Sequence, residues 1–479
     1  MFVIFCASVN DNIELLQYLR QIFMITFLNI LYSIAVIIFS FMLLVGIHEF
    51  GHFLIARLVG VKVLCFSFGF GKILYRFKDK LGTEFAISAI PLGGYVRLLD
   101  EREAAVPVEL REYAFNRQPI YKRTAIIIAG PLFNLILAFM IYWASLTMGV
   151  MQIVPTIGEI KPKSIAELAG MHPSEEIINV DGHNVQGWPA TTLRIIQRLG
   201  HPGILTITTI IPKTQTKQTY QLKLTHWSIG DLNPEPVESL GIVPLKPPMP
   251  AQFAMVLPNS PAAQAGLKAN DLVMNVNGKT IKNWEALLTL IEHSPGQNLL
   301  FGVQRNKQSL TINVTIGSKT TWYGKTVGFI GVKDVQPQWP PNSLRIRQYP
   351  FYVAWLPAAQ EVYFFTEYNL VVLQKMLSGV ISLKSLGGPI SIFQGTLIAA
   401  NHGIIAYLVF VAFISICLGI INLLPIPGLD GSQLIYFLIE KIRGGKPVSL
   451  AVQLLLFRLG VIALILLLFQ GMINDLMRL

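Results

Sequence analysis

The sequence predicts a polytopic α-helical membrane protein with four transmembrane helices and two tandem α+β modules inserted between the second and third helices. Composition is the first observation behind this prediction, because 52% of the 479 residues are hydrophobic and only 14% are charged. The mean hydropathy of +0.53 is too high for a set of ordinary soluble domains. Four long apolar runs and an internal repeat are the second and third observations. The three cysteines are too widely spaced for a disulfide framework or a CxxC metal site.

The four apolar runs are each long enough to cross a bilayer. A hydrocarbon core of about 30 Å requires about 20 helical residues. The predicted transmembrane helices are residues 25–59, 124–151, 403–430 and 450–473. An N-terminal extension, residues 1–24, precedes them and lacks the basic segment and the small-residue cleavage site of a signal peptide. Met24 is an alternative translation start.

Basic residues set the predicted orientation in the membrane. Lysines and arginines are concentrated in residues 60–123, between the first two helices, and in residues 431–449, between the last two. Basic loops of this kind remain in the cytoplasm, so the modules and both termini are predicted to be periplasmic, in the inner membrane of a bacterium. The net charge of +11 is then explained by contact with an anionic lipid bilayer, and no nucleic acid partner is expected.

Two segments of the long periplasmic stretch resemble each other. Asp-Gly at residues 181–182 and Asn-Gly at residues 277–278 are hairpin-type dipeptides, and a tryptophan follows each glycine by six residues. The repeat predicts two modules, residues 152–245 and 246–345. Each module resembles a PDZ domain, a fold in which a sheet edge and a helix bind extended peptides. Peptide ligands and a purely structural spacer both remain open as interpretations.

The stretch after the modules, residues 346–402, mixes aromatic residues with charged ones such as Glu361, Glu367 and Lys375. This spacing predicts an amphipathic helical segment on the outer surface or beneath the modules.

The motif HEFGH, residues 48–52, continues the first apolar helix. Positions i and i+4 share one face of a helix, so His48 and His52 are predicted to bind one metal ion, while Glu49 lies beside it as a general base. Ionisable side chains on a spanning helix are costly unless they pair, coordinate a metal or line a hydrated cavity. The alternative is a pair of interfacial histidines that only form hydrogen bonds.

A catalytic zinc ion generally has three protein ligands, so one more is required. The other histidines lie in the periplasmic modules or at the far side of the third helix. Asp430 fits the expected depth, because it lies near the end of the segment NLLPIPGLDG, residues 422–431, where two prolines and a glycine break the third helix. Broken backbone at membrane depth is tolerated beside a hydrated cavity. We therefore expect one Zn²⁺ per chain, bound by His48, His52 and Asp430. The alternative is an ordinary loop carboxylate after a proline turn.

These motifs resemble those of the site-2 intramembrane metalloproteases. The resemblance covers nearly the whole chain and includes FGFG at residues 68–71, PLGGYV at residues 91–96 and AGP at residues 129–131 followed by Asn134. Many relatives have Asp-Gly-Gly-His where this chain has DGSQ at residues 430–433, so a histidine role there is unsupported.

The resemblance implies a zinc endopeptidase that cleaves peptide bonds within transmembrane segments of single-pass proteins. Its substrates would include a pre-cleaved anti-sigma factor and remnant signal peptides, in regulated intramembrane proteolysis of an envelope stress response. It also implies substrate-binding residues: Gly69, Phe70 and Gly71 in a strand-like, membrane-associated element of the first cytoplasmic loop, and Asn422, Pro425 and Pro427 at the helix break. A plain cytoplasmic hairpin is the alternative for the glycine-rich element. Asn134 is expected to tie the second helix to its neighbours, as polar residues of membrane helices often do.

Two rival functions come from other classes of protein. One is a membrane scaffold whose modules gather partners around a structural metal site; such a site does not need Glu49. The other is a transporter with an ion site at a broken helix, but the four runs show no inverted repeat.

Overall fold

The computed structural model describes residues 2–212, 214–225, 227–230, 235–320, 324–335 and 338–478, with only the backbone at residues 2–23, 25, 26 and 92. The helices are α1 Phe2–Leu58, α2 Ile120–Met148, α3 Ile165–Leu168, α4 Trp188–Arg198, α5 Pro236–Ser239, α6 Pro261–Gln264, α7 Trp284–Glu292, α8 Phe351–Leu377, α9 Pro389–Asn401, α10 Ile404–Leu423, α11 Asp430–Ile442 and α12 Leu450–Arg478. Three short 3₁₀ helices accompany them.

The strands fall into a long pair near the start of the chain and a larger set between α2 and α8. They are β1 Val63–Lys78, β2 Glu84–Leu98, β3 Val150–Ile153, β4 Ile157–Ile160, β5 Glu176–Val180, β6 His183–Asn184, β7 Gly203–Ile210, β8 Lys217–Leu224, β9 Ile242–Pro244, β10 Phe253–Val256, β11 Leu272–Val276, β12 Lys279–Thr280, β13 Asn298–Arg305, β14 Gln308–Thr315, β15 Gly317–Thr320, β16 Thr326–Phe329, β17 Val332–Asp334 and β18 Leu344–Arg347.

Within the described residues, four helices are long and apolar enough to cross a membrane: Phe27–Leu58 of α1, then α2, α10 and α12. The first three pack together with α8 around buried residues that include Leu44, Ala138 and Ile416. Helices α1 and α2 approach closely, because a Cβ atom at Gly51 would lie 2.5 Å from the backbone oxygen of Ala129. Small residues permit such close helix contacts in membranes, where apolar burial gives little driving force.

Strands β1 and β2 form a folded sheet beneath α1. Residues 65–68 of β1 pair on one side with residues 94–97 of β2 and on the other side with residues 84–87. The far half of β1 pairs with residues 84–88, so residues 94–98 form an edge of the sheet. Strands are therefore present where the strand-like element was predicted, and its association with the membrane stays a prediction. Gly69 and Gly71, with φ of +89° and +84°, lie where β1 turns.

The two repeated segments fold alike. The first repeat forms the sheet β6-β5-β7-β8 and the second forms the sheet β12-β11-β13-β14. In both sheets, corresponding strands of the two repeats occupy the same positions. The predicted hairpin turns are confirmed: Val180 pairs with His183 across Asp-Gly, and Val276 pairs with Lys279 across Asn-Gly. All four turn residues have positive φ, the backbone conformation that these dipeptides favour. The two tryptophans of the repeat begin helices α4 and α7.

One pair of strands connects the two repeats to the long helices. Strand β3 follows α2, β18 precedes α8, and the two strands pair in an antiparallel ladder from Val150 with Arg347 to Ile153 with Leu344. The first repeat is fastened to this base, because Arg345 donates two hydrogen bonds to the carboxylate of Glu176 in β5. It also contacts α8, where Glu367 accepts hydrogen bonds from Arg194 and Gln197 of α4.

The structure corrects two boundaries. Residues 431–449, predicted as a loop, contain most of α11, whose Leu434 and Phe437 pack against the core beside α1 and the sheet. Residues 346–402, predicted as one amphipathic segment, contain the end of β18 and the two helices α8 and α9. The Gly387-Gly388-Pro389 sequence separates these helices, because proline is favoured at the start of a helix and not within it.

Candidate metal centre

Helix α1 brings two imidazole rings together at its buried face. His48 and His52 are separated by one helical turn, and both are less than one tenth exposed. Their Nε2 atoms are 3.2 Å apart. The rings lie edge to face, with centroids separated by 4.8 Å.

The third group of the cluster comes from the break between α10 and α11. Helix α10 ends at Leu423, and Pro425 and Pro427 prevent its continuation before α11 begins at Asp430. This places Oδ2 of Asp430 3.0 Å from Nε2 of His48 and 3.3 Å from Nε2 of His52. One ligand atom from each of the three residues thus lies within 4.8 Å of the others.

The donor set fits a tetrahedral metal ion. Zinc bonds of about 2.0–2.2 Å to nitrogen and oxygen separate two tetrahedral ligand atoms by about 3.3 Å, close to the observed spacing. Nδ1 of His52 lies 2.8 Å from the carbonyl oxygen of Ile126, which can only accept, so Nδ1 carries the proton. Nε2 of the neutral ring then carries a lone pair, which faces the Asp430 carboxylate. A cation between these atoms removes that repulsion.

Glu49 shares the cavity of these three residues. The cavity has a volume of about 270 Å³, and its lining includes Tyr95 and Val96 of the edge strand. Glu49 lies against the edge strand, because a Cβ atom at Gly94 would lie 3.5 Å from Cγ of Glu49. Asp100, Arg102 and Gln433 also line the cavity, which makes this end of the site polar.

Helix α2 forms the wall behind both rings. A Cβ atom at Gly130 would lie 2.3 Å from Nε2 of His52 and 2.9 Å from Cε1 of His48, so the imidazoles occupy the space of the missing side chain. Nδ2 of Asn134 lies 3.2 Å from Nδ1 of His48. The sequence predicts only a helix-packing role for Asn134 and no role at the site for Gly130. The available signal was a glycine before a proline in an apolar helix, AGP at residues 129–131.

Comparison with known proteins identifies the family. The description "Peptidase family M50" matches residues 36–467, which is most of the chain. The chain belongs to peptidase family M50. The sequence-based prediction of a site-2 metalloprotease is thereby confirmed, and with four candidate spanning helices this M50 peptidase is a membrane protein.

Curated relatives align with the M50 peptidase over nearly its whole length. It is 40% identical to the regulator of sigma-E protease RseP of Salmonella typhimurium over 453 residues, which is 94% of this chain and 100% of the relative. The corresponding protein of Escherichia coli K12 is 40% identical over 452 residues, with the same coverage. A Vibrio cholerae protein with the provisional name zinc metalloprotease is 34% identical over 451 residues, again 94% and 100% of the two chains.

A solved structure also resembles part of the M50 peptidase. The PDZ domain of an SdrC-like protein from Listeria monocytogenes matches 20% of this chain and 94% of its own, at 17% identity and a TM-score of 0.16.

The residues expected to bind substrate lie outside the metal cavity of this M50 peptidase. Those at the helix break and in the glycine-rich element are absent from the described lining of the cavity: Asn422, Pro425, Pro427, Gly69, Phe70 and Gly71. Phe70 approaches it indirectly, because its ring stacks on Tyr95 with centroids 6.3 Å apart. The edge strand, residues 94–98, contributes to the lining instead.

Proposed function

We propose that this chain is a zinc-dependent intramembrane endopeptidase in which His48, His52 and Asp430 bind one Zn²⁺ and Glu49 is the general base. The convergence of these three side chains at 3.0–3.3 Å is the observation that carries the proposal. The zinc metalloprotease name of the Vibrio relative supports the choice of metal.

The bound zinc ion would polarise the scissile carbonyl and make water a nucleophile at neutral pH. Glu49 lies in the same cavity, where its carboxylate can take a proton from water and later deliver it to the leaving amine. The contact with Gly94 places Glu49 against the edge strand. Helix α2 covers the two rings at Gly130.

The edge strand supports a way to hold an unwound substrate. A peptide bond within a helix has its carbonyl engaged in the i to i+4 hydrogen bonds, so a transmembrane substrate must unwind before attack. Residues 94–98 form a sheet edge that borders the cavity, and an extended substrate can add to such an edge as a further strand. We propose that Gly69, Phe70 and Gly71 shape this sheet from its turn, and that Asn422, Pro425 and Pro427 contact the substrate outside the cavity.

The natural substrates are proposed from the relatives. The names of the Salmonella and Escherichia proteins refer to regulation of sigma-E. We infer that this chain cleaves single-pass membrane proteins, including a pre-cleaved anti-sigma factor and remnant signal peptides, in an envelope stress response. It would lie in the inner membrane with both termini and the two repeats in the periplasm. The basic residues of β1 and α11, at the same end as the metal centre, support a cytoplasmic position of that centre.

A pair of substitutions tests the metal site and the base separately. We expect Glu49→Gln to retain one zinc per chain but to lose cleavage of a model transmembrane substrate, because an amide cannot accept the proton. We expect Asp430→Ala to lose both. Zinc is measured by elemental analysis of the purified membrane protein, with His402→Ala, an exposed histidine outside the site, as the matched control. Retained cleavage in Glu49→Gln contradicts the base, and undiminished zinc in Asp430→Ala contradicts the ligand.

The two repeats are proposed to be tandem PDZ-like domains, residues 152–245 and 246–345, that screen substrates by the size of their outer domain or bind their peptides. The paired strands allow a clean deletion, because Ile153 lies opposite Leu344 and a two-residue Asn-Gly turn can join them in place of residues 154–343.

We expect the shortened protein to keep its zinc and its cleavage of a short model substrate, and to cleave a substrate with an intact outer domain as fast as a trimmed one. The ratio of the two cleavage rates is the measurement. The same deletion with Glu49→Gln controls for other proteases. A ratio equal to that of the full chain rules out screening by the repeats.

A further inference from the structure

Asn134 is an amide at the centre of the membrane part with one unused polar atom. Its side chain has no exposure to solvent, and its Nδ2 lies 3.2 Å from Nδ1 of His48. Its Oδ1 is buried and has no hydrogen-bond partner among the described residues. Rotating the amide would place Nδ2 at that position instead, so the chemistry of the His48 contact decides which orientation is correct.

Metal binding by His48 requires the opposite orientation of that amide. If Nε2 of His48 is a zinc ligand, it presents a lone pair, and the proton of the neutral ring is then on Nδ1. Nδ1–H needs an acceptor, and an amide nitrogen cannot accept. Amide nitrogen and oxygen have nearly the same shape, so rotating the Asn134 amide by 180° places Oδ1 beside Nδ1 without moving the helix.

We propose that Asn134 is a positioning residue that accepts a hydrogen bond from Nδ1–H of His48 through its side-chain oxygen and thereby fixes the ligand form of that ring. This inference rests on the proposed zinc site. It gives the two histidines equivalent support, because the carbonyl oxygen of Ile126 receives the Nδ1–H of His52. Helix α2 then sets the orientation of both imidazoles although it supplies no metal ligand. Partners of this kind commonly change metal affinity by about 10- to 100-fold.

The structure separates this role from a role in packing helices. Asn134 does join α2 to α10, but the contact uses its main-chain oxygen, which accepts a hydrogen bond from Oγ of Ser415 at 2.8 Å. Side-chain substitutions at Asn134 leave that oxygen in place. Ser415→Ala removes the bond between the helices and leaves the amide beside His48.

The test compares Asn134→Leu, Asn134→Asp and Ser415→Ala in the full-length purified protein. Zinc affinity is measured by competition with a chelator, and the absorption spectrum of the Co²⁺-loaded protein reports the ligand geometry. We expect Asn134→Leu to bind zinc about 10- to 100-fold more weakly and to change the Co²⁺ spectrum. Asn134→Asp, which retains an acceptor, and Ser415→Ala should bind zinc within about threefold of the parent.

Parental affinity and spectrum in Asn134→Leu overturn the inference, as does an equal loss in Ser415→Ala. If the leucine variant does not accumulate in the membrane, Asn134→Ala is measured in its place, because alanine introduces no bulk. His48→Ala distinguishes a failure of the proposed function: if it binds zinc as tightly as the parent, the metal site itself is wrong. If His48→Ala loses zinc and Asn134→Leu does not, only the role of Asn134 is rejected.

Discussion

Replacing Gly130 with alanine is expected to abolish zinc binding and peptide cleavage while leaving the protein in the membrane. The new Cβ atom would lie 2.3 Å from Nε2 of His52 and 2.6 Å from its Cε1, well inside van der Waals contact. Moving the rings away from α2 changes the positions of their Nε2 atoms relative to Asp430, which now lies 3.0–3.3 Å from both. Displacement of reacting groups by about 1 Å can cost about 100-fold in rate, and we expect at least that loss here.

Helix stability cannot explain such a loss, because alanine is favoured over glycine inside a helix by about 1 kcal/mol. The matched control is Ile128→Ala, on the same helix but with a side chain 38% exposed on its outer face. Zinc content, cleavage of a model substrate and thermal unfolding are measured for both variants. Normal zinc and normal cleavage in Gly130→Ala show that the site does not have the packing described.

Gly460→Ala is expected to impair the same centre from the side of α12. A Cβ atom at Gly460 would lie 1.8 Å from the backbone oxygen of Pro427, three residues before the Asp430 ligand. Helix α12 is otherwise largely exposed, and it must move away or push the broken segment inward. We expect zinc affinity and cleavage to fall together by about 10-fold or more, since the carboxylate is carried by the displaced segment.

The control for this variant is Leu459→Ala, whose side chain is 54% exposed beside Gly460. Leu459→Ala reduces the exposed apolar surface of α12 and places no new atom near Pro427. Chelator competition and substrate cleavage again give the readout. If Gly460→Ala retains parental zinc affinity while Leu459→Ala loses activity, the contact between α12 and the broken segment does not support the site.

The three residues of the proposed metal site could be predicted because local rules place them. The spacing of His48 and His52 places both on one helical face, and the prolines before Asp430 must end a helix at a depth where few other polar residues occur. The beginning of α11 at Asp430 was missed, although an acidic residue in the first turn is typical of a helix start. Residues 431–449 are predicted as a loop because they form the short basic connection between the last two apolar runs.

The rest of the site depends on pairings between distant segments. Periodicity indicates that residues 63–98 are extended, but not that residues 94–98 form an edge beside Glu49. The assignment of substrate contacts to Gly69, Phe70 and Gly71 therefore stays a prediction, and the structure favours the other half of the sheet as the cavity wall. Gly130 was missed for a similar reason, since a single glycine in an apolar helix does not reveal which side chains occupy its empty space.

The pairing of β3 with β18 also has a consequence for the engineering of this protein. Entry and exit of the two repeats lie side by side, so closing the connection after their exchange costs little chain entropy, although the contacts of the first repeat with Arg345 and Glu367 must be replaced. A compact unit with neighbouring termini can be joined to this strand pair.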